Sequence, residues 1–255
     1  MIVNYKKLAN DCRKIVLGMI HKGGTSHIAS NFSVIDIAIV LYENLKEEDE
    51  VVWSKGWVAA TIYYFLAKQG KIPIKDLDKF PNSPYLGLAE TSVNGVHVSG
   101  GSMGHGLPIA VGMALGKKLA GEKGTIYCIM SDGEMNEGTT WESAMLAAHH
   151  KLNNLVVLVD ANGWQAMGKT QDVLFSNHIT WTGFNWNVYR GPGHDYKFIE
   201  KTIYSSGKNE RPTVMWLNTI KGKGVSFFEN HLLYHYKHVE KDEFEKAMAE
   251  LKNAV

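Results

Sequence analysis

From residue 125 onward, short apolar runs alternate with helical patterns, and this alternation restricts the fold more than any other feature of the chain. The runs Thr125–Met130, Leu155–Val159, Trp186–Tyr189 and Thr213–Leu217 carry no charged residue. A helical pattern over Thr140–His150 separates the first two, and another opens at Tyr196. Strands that are apolar on both faces must be covered on both faces. The expected fold is therefore α/β, with a mostly parallel central sheet and helices on both faces. At 255 residues, 45% hydrophobic and 21% charged, the chain has ample material for one core, and residues 1–255 read as a single domain without repeats or linkers.

The first half is more helical. Tyr5, Leu8, Cys12, Ile15, Val16, Met19 and Ile20 recur at helical spacing, and Gly23-Gly24 ends that helix. Ser33-Val34-Ile35-Asp36 has the form of a capping box opening a second helix through Leu45. Val51–Trp53 reads as a short strand, and 58–68 as a helix. Residues 70–98, with Pro73, Pro81 and Pro84, read as a long surface loop. A charged amphipathic helix over Asp242–Lys252 closes the pattern.

A net charge of +1 gives no global field for nucleic acid or an anionic membrane, so neither is expected as a partner. Any anion must then be held by local geometry. There is no long uncharged apolar run, and MIVNYKKLANDCRK is not a signal peptide. The two cysteines, Cys12 and Cys128, sit in apolar patterns and read as reduced core thiols of a cytoplasmic protein.

Asp132 and Asn162 end two of the apolar runs, on strands joined by one helix and hence expected close together in the sheet. In such sheets ligands bind beyond the carboxyl ends of the strands. A carboxylate and an amide oxygen form a hard-oxygen set suited to Mg²⁺ or Ca²⁺. Each residue also has a plainer reading: Asp132 as a helix cap, Asn162-Gly163 as a turn. Gly101, Gly104 and Gly106 precede a helix and offer a phosphate cradle of backbone N–H groups, in an order that is neither Walker A nor G-x-G-x-x-G.

The stretch SDGEMNEGTTWESAMLAAHHKLNNLVVLVDANG resembles transketolase, and its Asp132-Gly133 followed by Asn162 resembles the thiamine diphosphate motif, with Ser131 in place of the first glycine of GDG. HKGGTSHIASNFSVIDI, SKGW, GGSMGHGLPIAVGMA, GHD and TIKGKGVSF are similar to further segments of that family. The resemblance implies thiamine diphosphate and Mg²⁺ (or Ca²⁺) as cofactors, with Asp132, Asn162 and the Trp164 carbonyl on the cation. It implies cofactor contact at Gly101, Met103, Gly133 and Ile220, and at the position of Trp57. It implies His27 and His235 as the catalytic histidines near substrate hydroxyls, with His231 and His238 as rivals for the second. His105, where glutamine is usual, touches ligand or merely caps. Only the diphosphate-binding part of the family is represented, and no residue matches the glutamate that activates the cofactor. The resemblance therefore implies a partner chain, a C-terminal transketolase-like subunit supplying the pyrimidine domain and that glutamate, in an α2β2 heterotetramer with Glu137 at the interface.

Two positions depart from the family. Trp57 replaces the histidine of SKGH, and indole has one donor and no charge. Leu88 falls in the substrate pocket, where a histidine would hold the donor's hydroxyl, and a site without that group loses the corresponding preference. The expected activity is transfer of a two-carbon unit from a ketose or 2-keto acid donor to an aldehyde or other carbonyl acceptor, with altered donor preference. A decarboxylating carboligase, a 2-oxo acid dehydrogenase-like component and a non-catalytic paralogue are the alternatives.

Overall fold

The computed structural model describes residues 3–254. In chain order the first elements are α1 (Tyr5–Gly23), α2 (Ile28–Glu43), β1 (Glu50–Trp53), α3 (Ala59–Lys68) and α4 (Gly106–Ala120). They are followed by β2 (Ile126–Ser131), α5 (Gly138–His149), β3 (Leu155–Ala161), β4 (Trp164–Gln165) and β5 (Gly168–Lys169). The rest are α6 (Thr170–Val173), α7 (Ile179–Gly183), β6 (Asn187–Pro192), α8 (Tyr196–Ser205), β7 (Thr213–Asn218) and α9 (Lys241–Asn253).

The chain forms two compact units and passes between them four times. One contains the chain up to Ile39, Gly56–Gly101 and everything from Ile220; the other contains Val40–Lys55 and Ser102–Thr219. One crossing falls inside α2 and another inside the motif GGSMGHG, so no separate linker marks a boundary in the sequence.

The second unit holds the five-stranded sheet, ordered β1-β2-β3-β7-β6 and parallel throughout. The chain lays down β1 to β3 side by side, skips one place to set β6 at the edge, and returns with β7 in the gap. β2 is buried along its whole length and β3 and β7 nearly so, as expected of strands covered on both faces. The register pairs Ser131 with Asp160 and Ala161 with Asn218, so the carboxyl ends of the three central strands are level. The short antiparallel pair β4–β5, with α6 and α7, fills a segment whose sequence carries no clear period.

The first unit is helical. The capping-box expectation fails here: α2 starts at Ile28 and ends at Glu43, so Ser33 and Asp36 lie inside it. Residues 28–41 are all buried, and a helix apolar all round has no polar edge from which its start can be read. Ser33 Oγ donates to the Ser30 carbonyl (3.2 Å), and Asp36 forms a buried ion pair with Arg13 (2.6 Å). Residues 70–98 also differ from a loose surface loop. Ile72, Leu77, Phe80, Tyr85, Val93 and Val98 are each buried, at irregular intervals that neither helical nor strand periodicity detects. Cys12 and Cys128 are free and fully buried, as read, and burial pushes both thiols up. No described helix is long and apolar enough to cross a membrane.

Candidate functional site

In the second unit, oxygen donors gather beyond the carboxyl ends of β2 and β3. Asp132 directly follows β2 and is 3% exposed. Its Oδ2 accepts from the Gly163 N–H (2.9 Å) and from Thr170 Oγ1 (2.9 Å). Its Oδ1 is buried with no hydrogen-bond partner. Burial first, and then the charge of Asp160, push the Asp132 carboxyl up to about 6. Such an oxygen is expensive to bury unsatisfied, and a cation would satisfy it.

Asn162 lies one residue beyond β3 and is buried. Its side-chain oxygen accepts from the Trp164 N–H (3.0 Å), and its amide nitrogen donates to Asp160 Oδ2 (3.4 Å). Those two bonds orient the amide. Asp160 in turn pairs with Lys55 and accepts from Thr219 Oγ1; Asp160 and Lys55 are 0% and 1% exposed. An ion pair this buried costs much in desolvation and survives only when its remaining hydrogen bonds are made. Neither Lys55 nor Asp160 was singled out by sequence reasoning, although Lys55 stands in SKGW and Asp160 in the run that ends at Asn162.

Glu134 is the other charged group missed. It is fully buried and receives Ser54 Oγ, the Ser131 N–H (2.7 Å), Ser131 Oγ (3.0 Å) and the Gly104 N–H (3.3 Å). Burial raises its pKa despite these bonds. Ser131, where the family has glycine, therefore has a structural role, closing a capping box with Glu134. Through Glu134 the turn carrying Met103 and Gly104 is tied to the end of β2. Gly106 packs on Ser54 so closely that a Cβ would lie 2.3 Å from the serine's Cβ. Met103 is half-buried, and His105 precedes α4 without a side-chain capping bond, facing Ser102 Oγ at 3.3 Å. Gly133 is buried, and a Cβ there would stand 3.3 Å from Gln165 Cβ. Glu137 precedes α5 and is partly exposed.

In the first unit the two histidines meet. His27, just before α2 and with φ 68°, has its ring 5.0 Å from that of His235 at an interplanar angle of 63°. Its Nδ1 lies 2.8 Å from Ser26 Oγ. Of the rivals, His231 accepts from the Leu233 N–H (3.3 Å) as a cap, and exposed His238 pairs with Glu240 (2.9 Å). His235 is the one in ring contact with His27, while His238 shares its cavity. A cavity of about 650 Å³ beside His27 is lined also by Thr25, Leu88, Glu90, Tyr236 and His238. Leu88 Cδ1 stands 3.1 Å from where a Cβ on Gly101 would be. Trp57 is half-buried in a 3-10 turn, and Ile220 is half-buried two residues beyond β7.

Among the described residues no three His, Cys, Asp or Glu side chains converge as a metal cluster. The donors at Asp132 are instead a carboxylate, an amide and nearby backbone, which fit a hard cation that shares its shell with another oxygen-rich group.

A parallel sheet with oxygen donors beyond the ends of its central strands is the architecture of an α/β cofactor-binding domain. The chain belongs to the transketolase family: its residues 4–253 match the family model described as transketolase, thiamine diphosphate binding domain. It is 35% identical over 260 residues to an apulose-4-phosphate transketolase subunit of Actinobacillus succinogenes, covering 94% of this chain and 93% of that one. It is 34% identical over 266 residues to the 6-deoxy-6-sulfo-D-fructose transketolase subunit of Clostridium sp. strain MSTE9, covering 98% and 96%. The solved transketolase of Campylobacter jejuni matches with a TM-score of 0.92 and 27% identity, over 99% of this chain and 43% of that chain. This chain thus has the length of the two curated subunits and spans less than half of the solved enzyme.

Proposed function

We propose that this chain is the diphosphate-binding subunit of a split transketolase-like enzyme, transferring a two-carbon unit from a keto donor to a carbonyl acceptor. The observation that carries the reading is the buried, unpartnered Asp132 Oδ1 beside the oriented Asn162. These residues, with the Trp164 carbonyl, would hold Mg²⁺ (or Ca²⁺) against the diphosphate of thiamine diphosphate. Gly133 admits the diphosphate by having no Cβ, and the turn at Met103–Gly104 offers backbone N–H groups. Gly101 and Ile220 take cofactor contact in the same reading. When bound, thiamine diphosphate supplies a carbon nucleophile able to carry a two-carbon unit between carbonyl compounds. His27 and His235 would bind and orient substrate oxygens and move protons at them.

The pyrimidine domain, with its activating glutamate, would come from a C-terminal transketolase-like subunit, in an α2β2 heterotetramer with Glu137 at the interface. Two curated relatives are themselves named as subunits, which supports the split. The sugars in their names are ketoses bearing a phosphate or a sulfonate, so a ketose donor is the first choice here. Leu88 supports a second reading: an apolar group beside His27's cavity suits a methyl-bearing unit, as from pyruvate. The free, buried thiols favour a cytoplasmic enzyme.

The test is a thermal-shift titration followed by turnover. Thiamine diphosphate with Mg²⁺ should raise the melting temperature of the chain and its partner, and neither alone should do so fully. The reconstituted pair is then assayed with ketose phosphates, ketose sulfonates and pyruvate, in wild type and Leu88→His. Histidine at 88 should raise kcat/KM for the hydroxyl-bearing donors relative to pyruvate. No thermal shift and no turnover on any donor would leave a non-catalytic binding protein as the better account.

A further inference from the structure

Lys221 is fully buried, and it meets a histidine 14 residues further along the chain. Its Nζ lies 2.6 Å from Nδ1 of His235. The backbone pins it from both sides. The Lys221 carbonyl accepts from the Asn230 N–H (2.9 Å), and the next residue, Gly222, donates its N–H to Ala29 (2.9 Å) in α2. The lysine head therefore approaches the ring from a held position. A lysine ammonium has three donors and no acceptor, so Nδ1 of His235 must accept. An imidazole that accepts at one nitrogen carries its proton on the other.

We propose that Lys221 is a positioning residue that locks His235 in the Nε2–H tautomer. His235 is thereby a hydrogen-bond donor, and Nδ1 is withheld from taking a proton. Of the two facing histidines, His27, whose Nδ1 faces the hydroxyl of Ser26, is the one this division assigns to take and give the proton. The pair is then divided: His235 donates to a carbonyl or hydroxyl oxygen of the substrate, and His27 serves the proton that moves. This division rests on the reading given under Proposed function; the tautomer itself does not.

The experiment is ¹⁵N NMR of the full chain labelled at histidine, with His235→Gln used to assign the ring signals. Wild type should show Nε2 protonated and Nδ1 not. Lys221→Met is unbranched, matches glutamine in length and has no donor, and it should move His235 toward the Nδ1–H form. Lys221→Gln keeps an N–H donor and should retain the wild-type tautomer, whereas a merely structural role makes the two variants alike. An Nδ1–H ring in wild type overturns the inference even if Lys221→Met does not fold, and so does an unchanged ring in a folded Lys221→Met. Turnover of the assembled enzyme is measured beside it. A wrong tautomer should lower kcat by about tenfold or more in Lys221→Met, with Lys221→Gln closer to wild type. A changed tautomer with unchanged kcat leaves the lock standing and removes His235 from the proposed chemistry.

Discussion

At Asp132, burial and the neighbouring charge of Asp160 oppose ionisation, and Oδ1 has no partner to offset the cost. Asp132→Asn removes that charge while keeping an oxygen able to accept from Gly163 and Thr170. The apoprotein should therefore melt at the same or a higher temperature as the variant. The additional shift produced by Mg²⁺ with thiamine diphosphate should disappear, because the stabilisation by a ligand depends on its affinity for the folded state. A shift kept at wild-type size in differential scanning fluorimetry would remove Asp132 from the cation site. Asp132 and Asn162 were legible because acid and amide at two strand ends form a pattern in one dimension. Lys55, Asp160, Glu134 and Lys221 were not. Each is a charged residue beside glycine or an apolar run, and its partner lies 80 or 105 residues away for Glu134 and Lys55, and 14 away for Lys221. Apart from Ser131, three residues from Glu134, only the fold brings the compensating group to the charge.

Among elements, β1, β2, β3 and β7 were readable within a residue or two, because continuous apolar runs have sharp ends, whereas β6 runs three residues past its apolar run to Pro192, and the short β4 and β5 were not foreseen. The start of α2 was not readable, because its burial on all sides erased the polar face that marks a helix start. The correction can be measured. If Ser33 capped a helix, Ser33→Ala would cost about 1 kcal/mol. Lying inside α2 and bonded back to the Ser30 carbonyl, where alanine is the better helix former, it should cost less than a lost cap in urea unfolding. Gly56→Ala is the contrasting case. A Cβ at Gly56 would lie 2.2 Å from Gly100 Cα, so backbone must move, at a cost of about 1–3 kcal/mol. Equal effects of the two substitutions would contradict this packing. At the other end of the chain, Glu243 anchors α9: it accepts from Tyr234 Oη (2.9 Å), Lys237 Nζ (2.7 Å) and the Glu240 N–H (3.1 Å). Burial pushes its carboxyl up, but these bonds outweigh it and hold the pKa below the ordinary glutamate value. Its contribution to stability is thus complete above about pH 4.3 and lost as pH falls through the lowered folded-state value. Protection of the α9 amides, measured as exchange relative to the intrinsic rate at each pH, should fall over that acidic window, and Glu243→Gln should remove most of that change.

The fold class of the whole molecule followed from alternation alone, and its family from motifs running nearly its full length. The proposed function calls for a partner subunit, and the surface offers a place to look for its contact. From the β4–β5 turn to the start of α7, the stretch from 167 to 179 exposes Met167, Leu174, Phe175 and Ile179 at 76%, 58%, 68% and 63%. Single exposed apolar residues are ordinary, whereas four large ones within one short segment are the composition of a buried contact. The proposed partner chain should cover this segment. Hydrogen exchange of the amides in 167–179 should slow when the C-terminal subunit is added, at a ratio saturating near one to one. Phe175→Asp should weaken the association about tenfold or more, as expected when a large apolar anchor is lost from an interface. It should leave the melting temperature of the isolated chain within a few degrees of wild type, since the ring stands in solvent there. An assembled, active enzyme whose 167–179 exchange is unchanged would mean that the partner docks on another face and that these side chains are exposed for a different reason.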